Sequence, residues 1–401
     1  MRHPIRAAAL VAALCLAVAT VPPALAQGAP AATTAAPGTV PAAALGALPA
    51  PALAAAAYVL LDTTSGQTLA AINADEHRDP ASLTKLMTAY VVFGALRGKS
   101  IVPSQMVNVS ERAWRAEGSR MFIEPRKAVS VDELLRGMIV QSGNDASIAL
   151  AELVGGSEEA FVAQMNKEAQ RLGMANTRFA NATGLSGPQH YASAADLARL
   201  AAALIRDYPE FYPIYSQREF RYNNITQANR NRLLWTDPYV DGVKTGHTEA
   251  AGWCLIASSL RGERRLVSVV LGAASDAARA AESQKLLNYG FQAWDTVALY
   301  QSGKTVTTLP VWKGSAPEVK AGFLADRHVT LPKGQAAKLA LSLVAQERLI
   351  APIASGQRVG VVKVSFEDRP VAEFPLIALE DVPQASLLGR AWDTVRLWFS
   401  K

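Results

Sequence analysis

Three short stretches carry residue types that could do chemistry together. In "RDPASLTKLM", residues 78–87, Ser82 and Lys85 stand three apart at the head of an apolar run. On a helix, positions i and i+3 share a face. Desolvation lowers a lysine pKa, so a buried Lys85 amine would serve as base for the Ser82 hydroxyl. The same ten residues also fit an ordinary helix start, with Asp79 as N-cap, Pro80 at the first helical position and both side chains in water. The second stretch is Ser142-Gly143-Asn144, a polar break between the helical patterns "VDELLRGMIV" and "DASIALAELVG". The third is Lys244-Thr245-Gly246 at the head of a strand pattern.

Acyl transfer needs a nucleophile, a base, an oxyanion stabiliser and groups that hold the substrate. Ser82 would attack a carbonyl and Lys85 would take its proton. Ser142 would relay that proton to the leaving amine, and the Asn144 amide would hold the substrate. Capping in a polar loop is the bland alternative for the second stretch. Lys244 would be a fixed positive charge that also holds down the Lys85 pKa, and Thr245 a hydroxyl donor to a carboxylate. Gly246 would let a substrate run beside an edge strand. The Ser82 N–H and a second N–H just after Gly246 are the natural oxyanion donors.

These residues need elements to carry them. "AYVLLDTTSGQTLAAINAD" reads as a hairpin around Thr63–Gly66. The run from Ser82, "SLTKLMTAYVVFGAL", is apolar on nearly every side, as in a buried helix. Helical patterns follow through "SEEAFVAQMNKEAQRLG" and "SAADLARLAAALIRDY". Then "GVKTGHT", "GWCLIASSL" and "RRLVSVVLGA" read as three successive antiparallel strands, closed by a helix over "DAARAAESQKLLNYGFQAW". Strands at both ends with helices between them predict an α+β domain over 57–295 whose sheet joins its sequence ends. A small β-rich domain over 300–380 follows, with "QAAKLALSLV" ambiguous between helix and strand.

The ends of the chain read differently. Arg2 and Arg6, an apolar run and Ala24-Leu25-Ala26 predict an export signal over 1–26, and the Ala/Pro-rich residues 27–56 a flexible spacer. In the tail, 384–401, residues Leu387, Leu388, Ala391, Trp392, Val395, Trp398 and Phe399 trace one helical face. Such a helix suits a membrane interface or docking on its own domain, and is too short and charged to span a bilayer. The chain has 401 residues, two cysteines and formal charge +6. Loss of Cys15 with the signal leaves Cys254 alone, with no internal disulfide or cysteine zinc site. No basic run argues for nucleic acid.

The order Ser82-Leu83-Thr84-Lys85, Ser142-Gly143-Asn144, Lys244-Thr245-Gly246 is that of penicillin-binding proteins and serine β-lactamases. "ASLTKLMTAYVV", "MIVQSGNDASIALAE", "NATGLSGPQHYASAADLARL" and "VDGVKTGHTEAAGWCLIAS" resemble the low-molecular-weight penicillin-binding proteins, the D-alanyl-D-alanine carboxypeptidases of peptidase family S11. The resemblance implies a penicillin-binding, β-lactamase-like transpeptidase domain, a β-rich domain and a C-terminal amphipathic membrane helix. It implies Ser82 as the acylated serine, Lys85 as proton acceptor, Ser142 as the second-motif serine and Lys244 as a substrate-binding residue; His247 after the glycine is typical of the family.

The implied activity is removal of the terminal D-alanine from peptidoglycan stem peptides, with β-lactams as covalent inhibitors, no cofactor, and a place on the periplasmic face of the inner membrane. A DD-endopeptidase, a slow β-lactamase and a catalytically weak cell-wall binding module are the alternatives. "RFANATGLSGPQHYAS" lacks the deacylating glutamate of class A β-lactamases, which disfavours that reading. Trp253-Cys254 reads as strand packing without a catalytic role. Arg279 is the expected partner of Thr245 for the substrate carboxylate.

Overall fold

A computed structural model describes residues 48–399. The expected signal and the spacer up to residue 47 lie outside the described residues. Residues 48–56 lie along the first domain: the Tyr289 hydroxyl donates to the Leu48 carbonyl (2.8 Å), and Leu53 and Ala55 pack on its core.

Strands Ala57–Asp62 and Gln67–Ile72 form the expected hairpin. The Asp62 carboxylate accepts from the Thr64 N–H at its turn (2.9 Å), and Gly66 takes a φ of +77°. Ala57–Asp62 also pairs with Arg264–Ala273. The antiparallel sheet then runs through Gly252–Arg261 to Val240–Thr248 at its edge, so it does join the two ends of the domain. Alternation along the strands splits their side chains between two cores. Val59, Ile256, Val267, Val269 and Leu271 face the helices. Tyr58, Leu60, Leu255, Leu266 and Val270 face helix Asp276–Ala293 and the β-rich region.

The helical lobe is built around Lys85–Arg97, whose residues from Lys85 to Phe93 are all buried. Val131–Val140 starts with a reciprocal Ser130/Glu133 capping box. Asn144–Gly155, Glu158–Arg171 and Ala194–Asp207 complete the lobe, the last two capped by Ser157 and Ser193. One expectation is corrected here. The α-helix begins at Lys85; Ser82 lies on a separate 3₁₀ turn, Ala81–Thr84, with Pro80 at its cap position. Asp79 still contributes, accepting the Ala81 N–H (2.8 Å) and holding that alanine at a φ of +45°.

In the β-rich region Trp294–Tyr300 pairs with Arg327–Pro332. A second sheet runs in the order Leu339–Ala345, Arg358–Phe366, Arg369–Ala378, Glu318–Gly322, Thr305–Trp312, Leu349–Ile350. The ambiguous "QAAKLALSLV" becomes one 3₁₀ turn, Ala336–Lys338, and the edge strand Leu339–Ala345. Asp62 ties this region to the first domain. Fully buried, its carboxylate meets Arg264 (2.8 Å), Thr296 (2.6 Å) and Thr330 (3.1 Å).

The terminal helix Leu387–Phe399 turns polar residues toward the β-rich region: the Lys313 N–H donates to Asp393 (2.6 Å), and Arg396 lies over the Trp312 ring. Leu388 and Trp392 point outward, 85% and 65% exposed. Among the described residues no helix is long and apolar enough to cross a membrane.

Candidate active site

The three sequence motifs converge on one open cleft of about 610 Å³, lined by Ser82, Ser142, Thr245, Gly246, His247 and Arg230 among others. Each motif arrives by a different device. The 3₁₀ turn lifts Ser82 to the cleft while Lys85 opens the helix beneath it. Ser142, at a φ of +64°, links two helices in a left-handed conformation uncommon for a non-glycine residue. It caps neither helix by its side chain, since Gly143 is the N-cap of the second. Its neighbour Asp145 is buried and accepts the N–H groups of Met121 (3.0 Å), Phe122 (2.8 Å) and Ile123 (3.2 Å), fixing the segment that faces the break. Lys244 and Thr245 ride on the edge strand Val240–Thr248.

Lys85 is 1% exposed. Its Nζ lies 2.9 Å from Ser82 Oγ, 2.7 Å from Asn144 Oδ1 and 2.6 Å from the Thr183 carbonyl. Oδ1 and the carbonyl can only accept, so they take two N–H donors. A neutral amine has two such donors and one lone pair, and the lone pair then faces the Ser82 hydroxyl. Electrostatics agree: burial first, then the Arg230 guanidinium, lower the Lys85 pKa to about 7, against an opposing pull from Asp145. Beside burial, the like charge on Lys85 is Arg230, which the sequence did not single out; Lys244, the charge it pointed to, interacts with Lys85 as well.

Lys244, 3% exposed, bonds Ser142 Oγ and the Thr245 carbonyl, both at 3.0 Å. Burial pushes its pKa well down, helped by Lys85, Arg230 and Arg279. Arg230 brings to the cleft a guanidinium, which holds its proton more firmly than an amine. It donates to Ser119 Oγ (2.8 Å) and lines the cleft beside Thr245. Sequence reasoning missed it: "QANRNRLLW" offers several polar residues and no spacing that selects one.

Three expectations change in detail. The Asn144 amide is engaged at both ends, accepting from Lys85 and donating to the Glu117 carbonyl (2.6 Å), so only its second N–H remains for a substrate. Arg279 is buried and committed to the protein: it donates to the Gly246 (3.0 Å) and Cys254 (3.4 Å) carbonyls and pairs with Asp276. It still forms part of the cleft wall, where it ties the edge strand to helix Asp276–Ala293. A Cβ at Gly246 would meet Pro80 O (3.1 Å) and Ala81 Cβ (3.2 Å), so the missing side chain makes room for the turn that carries Ser82.

The Trp253-Cys254 expectation holds for half of the pair. Cys254 is buried in the core. Trp253 instead lines the cleft, its ring 4.0 Å from that of His247 and 5.0 Å from the Arg279 guanidinium.

Comparison with known proteins gives the same picture. Residues 45–275 match the family model described as D-alanyl-D-alanine carboxypeptidase, and residues 294–384 that of the penicillin-binding protein 5 C-terminal domain. The chain is 45% identical over 358 residues to D-alanyl-D-alanine carboxypeptidase DacC of Escherichia coli (strain K12), covering 87% of this chain and 90% of that protein. Its structure resembles penicillin binding protein 5 from Haemophilus influenzae (TM-score 0.81, 41% identity, 84% of this chain and 100% of that one). It also resembles penicillin-binding protein D2 from Listeria monocytogenes in the ampicillin-bound form (TM-score 0.57, 31% identity, 61% of this chain and 100% of that one). A buried, neutral-capable lysine under a cleft serine, on this sheet and helix framework and with this degree of identity, makes the chain a member of the D-alanyl-D-alanine carboxypeptidase family of serine peptidases.

Proposed function

We propose that the protein removes the terminal D-alanine from peptidoglycan stem peptides through an acyl-Ser82 intermediate. The observation that carries the reading is the buried Lys85 amine, whose Nζ lies 2.9 Å from Ser82 Oγ and is otherwise held by the Asn144 Oδ1 and Thr183 carbonyl acceptors. Lys85 takes the hydroxyl proton as Ser82 Oγ bonds to the carbonyl carbon. The Ser142 hydroxyl, bonded to Lys244, passes a proton to the departing D-alanine nitrogen as the peptide C–N bond breaks. Water then cleaves the ester and restores Ser82. Thr245 and Arg230 receive the terminal carboxylate, and the N–H groups of Ser82 and His247 face the oxyanion.

β-lactams acylate Ser82 by the same route; the likeness to the ampicillin-bound Listeria monocytogenes protein supports this. The domain reading that goes with it is an export signal over 1–26, a spacer over 27–56, a catalytic domain over 57–295, a β-rich domain over 300–380 and a membrane-interface helix over 384–401. The outward Leu388 and Trp392 support peripheral attachment on the periplasmic face of the inner membrane.

Mass spectrometry after exposure to benzylpenicillin tests the core of the reading. The adduct is expected on the peptide containing Ser82, with D-alanine release from a D-Ala-D-Ala peptide lost in Ser82→Ala. An adduct elsewhere, or D-alanine release by Ser82→Ala, overturns it. Rapid penicillin turnover would favour a β-lactamase.

A further inference from the structure

We infer that His190 is a positioning residue for the catalytic base: its ring pins the 180–190 loop onto the nucleophile's turn and so keeps Lys85 aligned and dry. This rests on Lys85 being the base. His190 itself is 4% exposed and does not line the cleft.

The ring bridges two elements. Its Nδ1 lies 2.9 Å from the Ala180 backbone nitrogen, and its Nε2 lies 2.9 Å from Thr84 Oγ1, between Ser82 and Lys85 in the chain. A backbone N–H only donates, so Nδ1 must present its lone pair. The proton of the neutral ring is then on Nε2, which donates to Thr84. A protonated ring would turn Nδ1–H against the Ala180 N–H and break the bridge. Burial lowers the His190 pKa to about 4, against the pull of Asp79, and the ring is accordingly neutral at working pH.

The loop it pins makes the contacts that matter to Lys85. The Thr183 carbonyl takes one of its two N–H donors, and the Ala182 carbonyl accepts from Thr88 one turn further along the same helix (2.7 Å). Asn181 Oδ1 accepts from the N–H groups of Thr183 (3.1 Å) and Gly184 (2.7 Å), turning the Thr183 carbonyl inward. Gly184 packs so closely on Ala81 that a Cβ there would overlap its carbonyl. Since burial is the leading cause of the lowered Lys85 pKa, loosening this loop admits water and lets that pKa climb back. The other charged groups acting on Lys85, Arg230, Asp145 and Lys244, are not themselves changed by substitutions at His190 or Thr84.

The test is the pH profile of acylation by a chromogenic cephalosporin, followed by stopped flow in the full-length protein. His190→Ala and Thr84→Val are each expected to move the midpoint of the acidic limb up by about one pH unit, slowing acylation up to about tenfold below the limb. Acylation is expected to recover near pH 9, and Thr84→Ser to keep the wild-type midpoint. Slower acylation with an unmoved midpoint, whatever happens to thermal stability, overturns the inference, as does a wild-type profile in both variants. Failure of the base reading would look different: wild type would show no limb near pH 7, or Lys85→Ala would still be acylated.

Discussion

Asn144→Asp puts the neutral-base reading under direct strain. Asn144 Oδ1 lies 2.7 Å from Lys85 Nζ, in a site where both residues are buried. A carboxylate at that distance attracts an ammonium by about 6 kcal/mol at an effective dielectric of ~20. Desolvation of the new charge offsets about half, leaving about 3 kcal/mol, or about two pKa units. Lys85, near 7 in wild type, would then titrate about two units higher and be about 1% neutral at pH 7. Stopped-flow acylation by a chromogenic cephalosporin should slow about 50-fold at pH 7 and return to within about twofold of wild type by pH 9. The alkaline recovery separates this effect from the lost bond to the Glu117 carbonyl, which no change of pH restores. Wild-type acylation at pH 7, or slow acylation that alkali does not rescue, would refute the reasoning.

Other expectations follow from the same geometry. Asp62→Ala takes the carboxylate from the partly buried Arg264, which keeps only the Gly290 and Trp294 carbonyls, and severs the links to Thr296 and Thr330, at a cost of about 3 kcal/mol in urea unfolding; a change under about 1 kcal/mol would show that the network does not join the domains. Gly184→Ala requires a Cβ at a φ of +86° against the Ala81 carbonyl, so the loop must retreat and acylation should fall at least tenfold while far-UV circular dichroism keeps its wild-type shape. His190 has a folded pKa of about 4, below its ordinary 6.5, so the unfolded chain binds more protons between those values. Its contribution is complete above pH 6.5 and is lost as pH falls toward 4, by about 3 kcal/mol; urea unfolding should show this loss in wild type and not in His190→Gln.

Much of the site was legible because the informative pairs are local. Ser82 and Lys85 are three residues apart, a spacing that puts them on one face in a 3₁₀ turn as well as an α-helix, so the error about the helix start did no harm. Strand alternation exposed the closing sheet, since a face packed against a core repeats every second residue. The tail's stripe was equally plain: a polar residue of the helix, Asp393, bonds the β-rich region while Leu388 and Trp392 face outward.

What the sequence by itself determined, then, is the identity and order of the three motifs that meet in the cleft and the framework that carries them. Tertiary structure alone decided how those groups are tuned. The Thr183 carbonyl reaches Lys85 across 98 residues of sequence, and Lys244 reaches Ser142 across 102. The Arg230 charge acting on Lys85, the Arg279 bonds to the Gly246 and Cys254 carbonyls, and the His190 bond to the turn that carries Ser82 all arise the same way. Desolvation and Coulomb interaction depend on distance and burial in space, and residue order along the chain carries neither.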